Sequence, residues 1–232
     1  IAARRGKRVL VVDLDSQGNT TQYLMGEHLP AETVADYFDQ SGGLFSTLKP
    51  ARDFVVSTPF DNVSLMPGGA KLQDVEHKLE QRYKIQAVKK MLDELEPSYD
   101  EIYIDTPPAL GFYTKAALIG GNNVLIPFDC DAFSRHSLDI VAQAVSEIRD
   151  DHNDKLKVEG IIVNNFQSRA RLPQELVSEL RDSGYPLLES MLGTSVKMRE
   201  SHQMAMPLVY CAPSHGLTLQ FEALYDELEG KR

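Results

Sequence analysis

Three short runs, residues 9–12, 102–104 and 161–163, are apolar or aromatic without a break, and they constrain the fold more than any other feature. A strand with one wet face alternates apolar and polar side chains. A strand that is apolar throughout is covered on both faces, as in parallel sheets flanked by helices. Candidate strands at 9–15, 63–66, 101–105, 123–127 and 158–164, with a weaker one at 207–210, are separated by stretches of helical character. This alternation predicts an α/β chain with a mostly parallel twisted sheet and helices on both faces.

Leu72, Val75, Leu79, Val88, Leu92 and Leu95 recur at helical spacing, which predicts one helix over 71–96 with Pro97 just past its end. Further helices are predicted over 137–152 and 172–182, the second with Pro173 in its first turn. A last helix has Leu219, Leu224 and Leu228 near one face. The opening IAARRG reads as the last turn of a helix stopped by Gly6. A βαβ unit takes roughly 30 residues, so the chain is expected to begin inside one, with its first strand and following loop upstream of Ile1. The 232 residues suffice for a single α/β domain, expected to run 1–232 and to be N-terminally incomplete.

Composition narrows the partners. A formal net charge of −10 excludes a surface coated in basic residues, so any contact with nucleic acid is expected to be local, weak and salt-sensitive. No apolar run approaches the length that spans a bilayer, and a cytoplasmic protein is expected. The two cysteines, Cys130 and Cys211, form no CxxC pair and no cluster at metal-ligand spacing. They are expected to be buried free thiols. Phe128, Phe133 and Phe166 are read as core or flanking residues.

Two stretches carry chemistry. In VVDLDSQGNTT, Asp13 and Asp15 stand at the end of a strand, where ligands of parallel α/β sheets bind and a carboxylate can order a water. An equally good reading is that one of them caps the turn SQGN, and the pair alone does not choose. In EIYIDTPPALG, an apolar strand ends in Asp105 and runs into Thr106, Pro107 and Pro108. This is the layout of a strand whose terminal carboxylate holds magnesium through water beside a loop that senses a nucleotide's terminal phosphate.

Taken in order, RGKRVLVVDLDSQGNTT, YIDTPPALG, GIIVNN followed by SRA, and MRESHQMAMPLVYCAPSHG resemble the ParA-type partition ATPases, the deviant-Walker P-loop NTPase group that includes MinD. The resemblance implies ATP and Mg²⁺ as cofactors and a homodimer when ATP is bound. It also implies non-specific DNA and a ParB-type adaptor as partners, and a nucleoid-associated location. It makes Asp15 and Asp13 the catalytic candidates, with Asp15 the partner of the attacking water, and Asp105 and Asp13 the metal candidates. Asn164, Pro213 and Thr106 become the nucleotide candidates, and Arg169 and Lys197 the DNA candidates. Arg199, Arg171 and Arg181 are possible extensions of the DNA patch.

Two departures stand out. Ser16 occupies a place where the family usually has proline, and no GxxxxGK[ST] or KGGxGK[ST] pattern occurs among these residues. The phosphate loop is therefore expected upstream of Ile1. Two alternatives remain: a MinD-like membrane-associated positioning ATPase, and a truncated, non-catalytic interaction protein. The first calls for a basic amphipathic C-terminal helix, whereas LQFEALYDELEGKR is acidic until its last two residues.

Overall fold

A computed structural model describes residues 1–40, 47–130 and 134–231. The chain divides into two compact units, Ala2–Gly120 and Gly121–Arg232, the latter joined by Ile1. Phe133 lies outside the described residues.

In the first unit a 3₁₀ turn at Ala3–Arg5 ends on Gly6, at φ 89°, whose N–H returns to the Ala3 carbonyl. The helix-stop reading of IAARRG is thus met in 3₁₀ form. The chain continues through β1 (Val9–Asp13), α1 (Asn19–Met25), α2 (Val34–Asp39), β2 (Val56–Ser57), β3 (Val63–Met66), α3 (Lys71–Gln81), α4 (Ala87–Leu95), β4 (Glu101–Asp105) and α5 (Phe112–Gly120). The sheet order is β2-β3-β1-β4. β1 runs parallel to both neighbours, and only the short β2 is antiparallel, to β3. Central β1 has Leu10, Val12 and Asp13 at 0% exposure, the two-sided cover that its unbroken apolar run demands.

The core of this unit joins Leu10, Val12 and Leu14 to Val34, Met66, Leu72, Val75, Val88, Met91 and Leu95. Truncating one such leucine to alanine costs about 2–5 kcal/mol. Helices α4 and α5 pack closely where a Cβ on Gly120 would lie 3.0 Å from the Lys89 Cα.

The single helix expected over 71–96 is two. Between Leu79 and Val88 no side chain is fully buried: Ile85 and Ala87 only partly cover the core, and Arg82, Tyr83 and Lys84 are exposed. With residues 80–84 all exposed, little burial favours continuation of the helix; it stops at Arg82, and Tyr83 turns left-handed at φ 52°. Its N–H bonds the Glu80 carbonyl, and the Lys84 N–H bonds that of Leu79.

The second unit contains β5 (Asn123–Asp129), α6 (Ser134–Asp151), β6 (Lys157–Asn164), α7 (Arg171–Asp182), α8 (Val196–Gln203), α9 (Leu208–Cys211) and α10 (Gly216–Lys231). β5 and β6 are parallel, with Asp129 opposite Asn164 at their ends. Phe128 is buried with Ile126, Leu138, Ile161 and Leu180, and Phe166 is half-buried.

Three sequence expectations are corrected in this unit. The strand expected at 207–210 is helix α9, in which only Leu208 is buried and the Ala212 N–H closes on the Leu208 carbonyl. Leu219 is 53% exposed; the inward stripe of α10 is Leu217, Phe221, Leu224 and Leu228, at steps of four, three and four residues. Cys130 and Cys211 are thiols outside any disulfide, but only half-buried.

Candidate active site

β1 and β4 end side by side, with Asp13 and Asp105 as the last register pair of the ladder. β1 stops there, two residues short of its expected end. Leu14 still donates its N–H to the Asp105 carbonyl, but Asp15 has left the sheet. The two aspartates of the DLD stretch then take different roles.

Asp13 has no exposed surface. Its Oδ2 accepts from the Thr21 N–H at 2.8 Å and the Thr21 hydroxyl at 2.7 Å, and its Oδ1 from the Asp15 N–H at 3.1 Å. Burial pushes its carboxyl above the ordinary range and the neighbouring Asp105 charge adds to that, against the opposing hydrogen bonds from Thr21 and the Asp15 N–H. The Thr21 hydroxyl oxygen in turn accepts from the Gly68 N–H at 2.8 Å. A side chain at Gly68 would place its Cβ 2.6 Å from the Asp13 carbonyl oxygen and 2.7 Å from its Cγ, so only glycine lets the chain leaving β3 approach this closely.

Asp15 is half-exposed. Its Oδ1 accepts from the Gln17 N–H at 3.0 Å, the turn-capping contact that the sequence allowed for. Its Oδ2 accepts no hydrogen bond among the described residues. Asp105 is similarly half-committed: its Oδ2 accepts from the Thr20 hydroxyl at 2.7 Å, and its Oδ1 is open among the described residues. Successive threonines in the first turn of α1 thus address the two strand-end carboxylates separately. Neither threonine was singled out from the sequence; the signal available was a pair of adjacent hydroxyls placed to start a helix just after a strand-end acid. Beyond them, Ser16 Oγ accepts from Gln73 Nε2 at 3.2 Å.

Thr106 is half-buried and leads into Pro107 and Pro108. The loop is fastened to α5 by the Thr114 hydroxyl, which donates to the Ala109 carbonyl at 2.7 Å and contacts that of Pro107 at 3.2 Å. Asp13, Asp15, Asp105 and Thr106 therefore belong to one unit.

The remaining candidates belong to the other unit. Asn164 ends β6, and its Nδ2 donates to Asp129 Oδ1 at 3.0 Å. Pro213 is exposed in the link between α9 and α10. Lys197, at the start of α8, pairs with Glu200 at 2.6 Å, and that contact raises its pKa. Arg171 pairs with Glu175 and Arg181 with Glu189. Arg169 and Arg199 are exposed and have no ion pair among the described residues. No described helix is long and apolar enough to cross a membrane.

A family model described as an AAA domain matches residues 1–158. The chromosome-partitioning ATPase Soj of Treponema pallidum is 30% identical over 224 residues, covering 94% of this chain and 79% of the relative. The chain belongs to the ParA/MinD-type partition ATPases. Among solved structures, the cobyrinic acid a,c-diamide synthase of Mycobacterium smegmatis with bound ADP and magnesium is 25% identical, at a TM-score of 0.73 over 87% of this chain and 81% of that one. The Pyrococcus furiosus cell division ATPase MinD, 22% identical, shares the fold at a TM-score of 0.77 over 99% of this chain and 89% of that one. Solved structures of this fold include complexes with nucleotide and Mg²⁺, the diamide synthase with ADP and magnesium among them.

Proposed function

We propose that this ParA-type protein is an Mg²⁺-dependent ATPase that acts in DNA partition. The observation that carries the reading is that Asp15 and Asp105, close in sequence or register to the buried Asp13, each keep one carboxylate oxygen without a hydrogen bond among the described residues. Magnesium takes few protein ligands, commonly one or two carboxylates, with water and substrate phosphates supplying the rest. Among the described residues no three His, Cys, Asp or Glu side chains form a preformed cage, and the open Oδ1 of Asp105 suits that chemistry. When bound, Mg²⁺ neutralises charge that develops on the phosphates during transfer to water.

In this reading Asp105 holds the ion through water and Thr20 fixes the orientation of its carboxylate. The free Oδ2 of Asp15 orients the attacking water. Asp13 acts as the buried brace that ties α1 and the Gly68 turn to the end of β1. Thr106 starts the loop that follows the metal site, while Asn164 and Pro213 are assigned to the base. Arg169, exposed and without an ion pair among the described residues, is the leading DNA contact. Lys197, already paired with Glu200, contributes less. ATP-dependent dimerisation, non-specific DNA binding and stimulation by a ParB-type adaptor complete the proposal.

Calorimetry of ATP with the full-length protein tests the nucleotide reading. Binding that requires Mg²⁺ and weakens in Asp105→Asn supports it, and Mg²⁺-independent or absent binding refutes it. For DNA, Arg169→Ala should weaken binding uniformly across sequences and reduce the salt slope by about 1 per protomer, with a smaller effect for Lys197→Ala. Equal affinity and slope in Arg169→Ala would remove that residue from the interface.

A further inference from the structure

The carboxyl ends of β5 and β6 carry a polar cluster of which the proposed function uses Asn164 alone. Asp129 and Asn164 are the last register partners of this ladder. Asn164 Nδ2 donates to Asp129 Oδ1 at 3.0 Å, and Asn165 Nδ2 lies 3.2 and 3.3 Å from the two oxygens of the same carboxylate. Asn165 sits at φ 52°, a left-handed conformation that asparagine tolerates better than most residues.

An asparagine amide has a donating end and an accepting end of nearly the same shape, and its neighbours decide which way round it sits. An ionised carboxylate can only accept. Asp129 therefore selects the nitrogen of Asn164, and the carbonyl Oδ1 is the end left without a hydrogen bond among the described residues.

We propose that Asp129 is a positioning residue for base selectivity. By holding Asn164 with its oxygen available, it makes this position an acceptor, which matches a purine with an amino group at C6 and opposes one with a carbonyl there. The inference rests on the assignment of Asn164 to the nucleotide base. A 6-oxo purine would set acceptor against acceptor and leave both without a donor. Asparagine at 129 offers either a donor or an acceptor, so the Asn164 amide is free to turn over and meet the 6-oxo base with its nitrogen.

The test is equilibrium binding of Mg–ATP, Mg–GTP and the triphosphate of purine riboside, which lacks any group at C6. The proteins compared are the full-length protein, Asp129→Asn, Asp129→Ala and Asp129→Glu. The unsubstituted protein is expected to prefer ATP over both others by about tenfold or more. Asp129→Asn and Asp129→Ala should bring the ATP:GTP ratio to within about threefold, chiefly through a gain for GTP. Asp129→Glu, still acceptor-only, should retain a preference for ATP. A ratio is insensitive to a simple loss of folded protein, so general destabilisation does not mimic the result. Normal ATP binding with an unchanged ratio in both Asp129→Asn and Asp129→Ala would overturn the positioning role alone. Failure of the unsubstituted protein to bind any of the three would overturn the nucleotide reading together with it.

Discussion

Thr21 gives both its backbone N–H and its hydroxyl to a single oxygen of Asp13, at 2.8 and 2.7 Å, and its hydroxyl oxygen accepts the Gly68 N–H. One side chain thus satisfies a buried carboxylate and a buried backbone donor at the same time. Thr21→Val keeps the shape and the backbone N–H bond but removes both bonds of the hydroxyl, to Asp13 and from Gly68. It should lower stability by about 1–3 kcal/mol, the usual cost of leaving buried polar groups unpaired, as measured by urea denaturation. Thr21→Ser, which keeps the hydroxyl, should lose less.

The division of labour proposed for Asp15 and Asp105 predicts separable kinetic defects. Asp15→Ala should leave Mg–ATP affinity within a few-fold while lowering the rate of phosphate release by about 10²-fold or more, the scale of a lost proton-transfer or water-orienting group. Thr20→Val removes the hydroxyl donor to Asp105 and should instead raise the Mg²⁺ concentration required for half-maximal activity. Titration of Mg²⁺ at saturating ATP distinguishes the two.

Tyr83 occupies the left-handed position after α3 at φ 52° with 94% of its surface exposed. Its side chain gains little from burial, and its backbone carries the strain that a Cβ imposes in this region. Tyr83→Gly should stabilise the protein by roughly 0.5–1 kcal/mol, the strain relieved less the greater chain entropy of glycine. Thermal denaturation should therefore show a higher midpoint.

The start of β4 carries a pH-dependent contact. The Arg8 guanidinium and the Arg8 N–H both donate to Asp100, holding its carboxyl at about 2 against an ordinary 3.8. A depressed folded-state pKa contributes stability that is present above the unfolded value and is lost as pH falls through the folded one. The contribution should therefore fade between pH 3.8 and about 2. Arg8→Ala removes the side-chain donor but keeps the N–H, so carboxyl-carbon NMR titration should show the Asp100 pKa rising only part of the way.

The strands at 63–66 and 101–105 were legible to the residue, because an apolar segment bounded by turn residues is a local signal. β1 was found but overextended to Asp15, since alternation of side chains cannot show where a ladder loses its partner. Regular apolar spacing on either side of residues 80–84 hid the break between α3 and α4, because a periodic pattern extrapolates across a gap in which every residue is exposed. Residues 207–210 read as a strand because a short apolar run has no period of its own.

Sequence alone determined which residue types stand at the ends of strands: Asp13 and Asp15 after one apolar run, Asp105 after another, Asn164 after a third. Those are local facts, and the family resemblance rests on them. Tertiary structure decided what each carboxylate can do. Thr20 and Asp105 meet across 85 residues of sequence, and Asn164 and Asp129 across 35. The register of parallel strands sets Asp129 beside Asn164, and beside Asp105 it sets Asp13, the strand end from which the chain leads to Thr20 in α1; no nearby sequence pattern encodes that register. Burial then assigns the roles: the same side-chain chemistry is a sealed brace at Asp13, where three donors converge without solvent, and an available acceptor at Asp15 and Asp105, where one oxygen is left open.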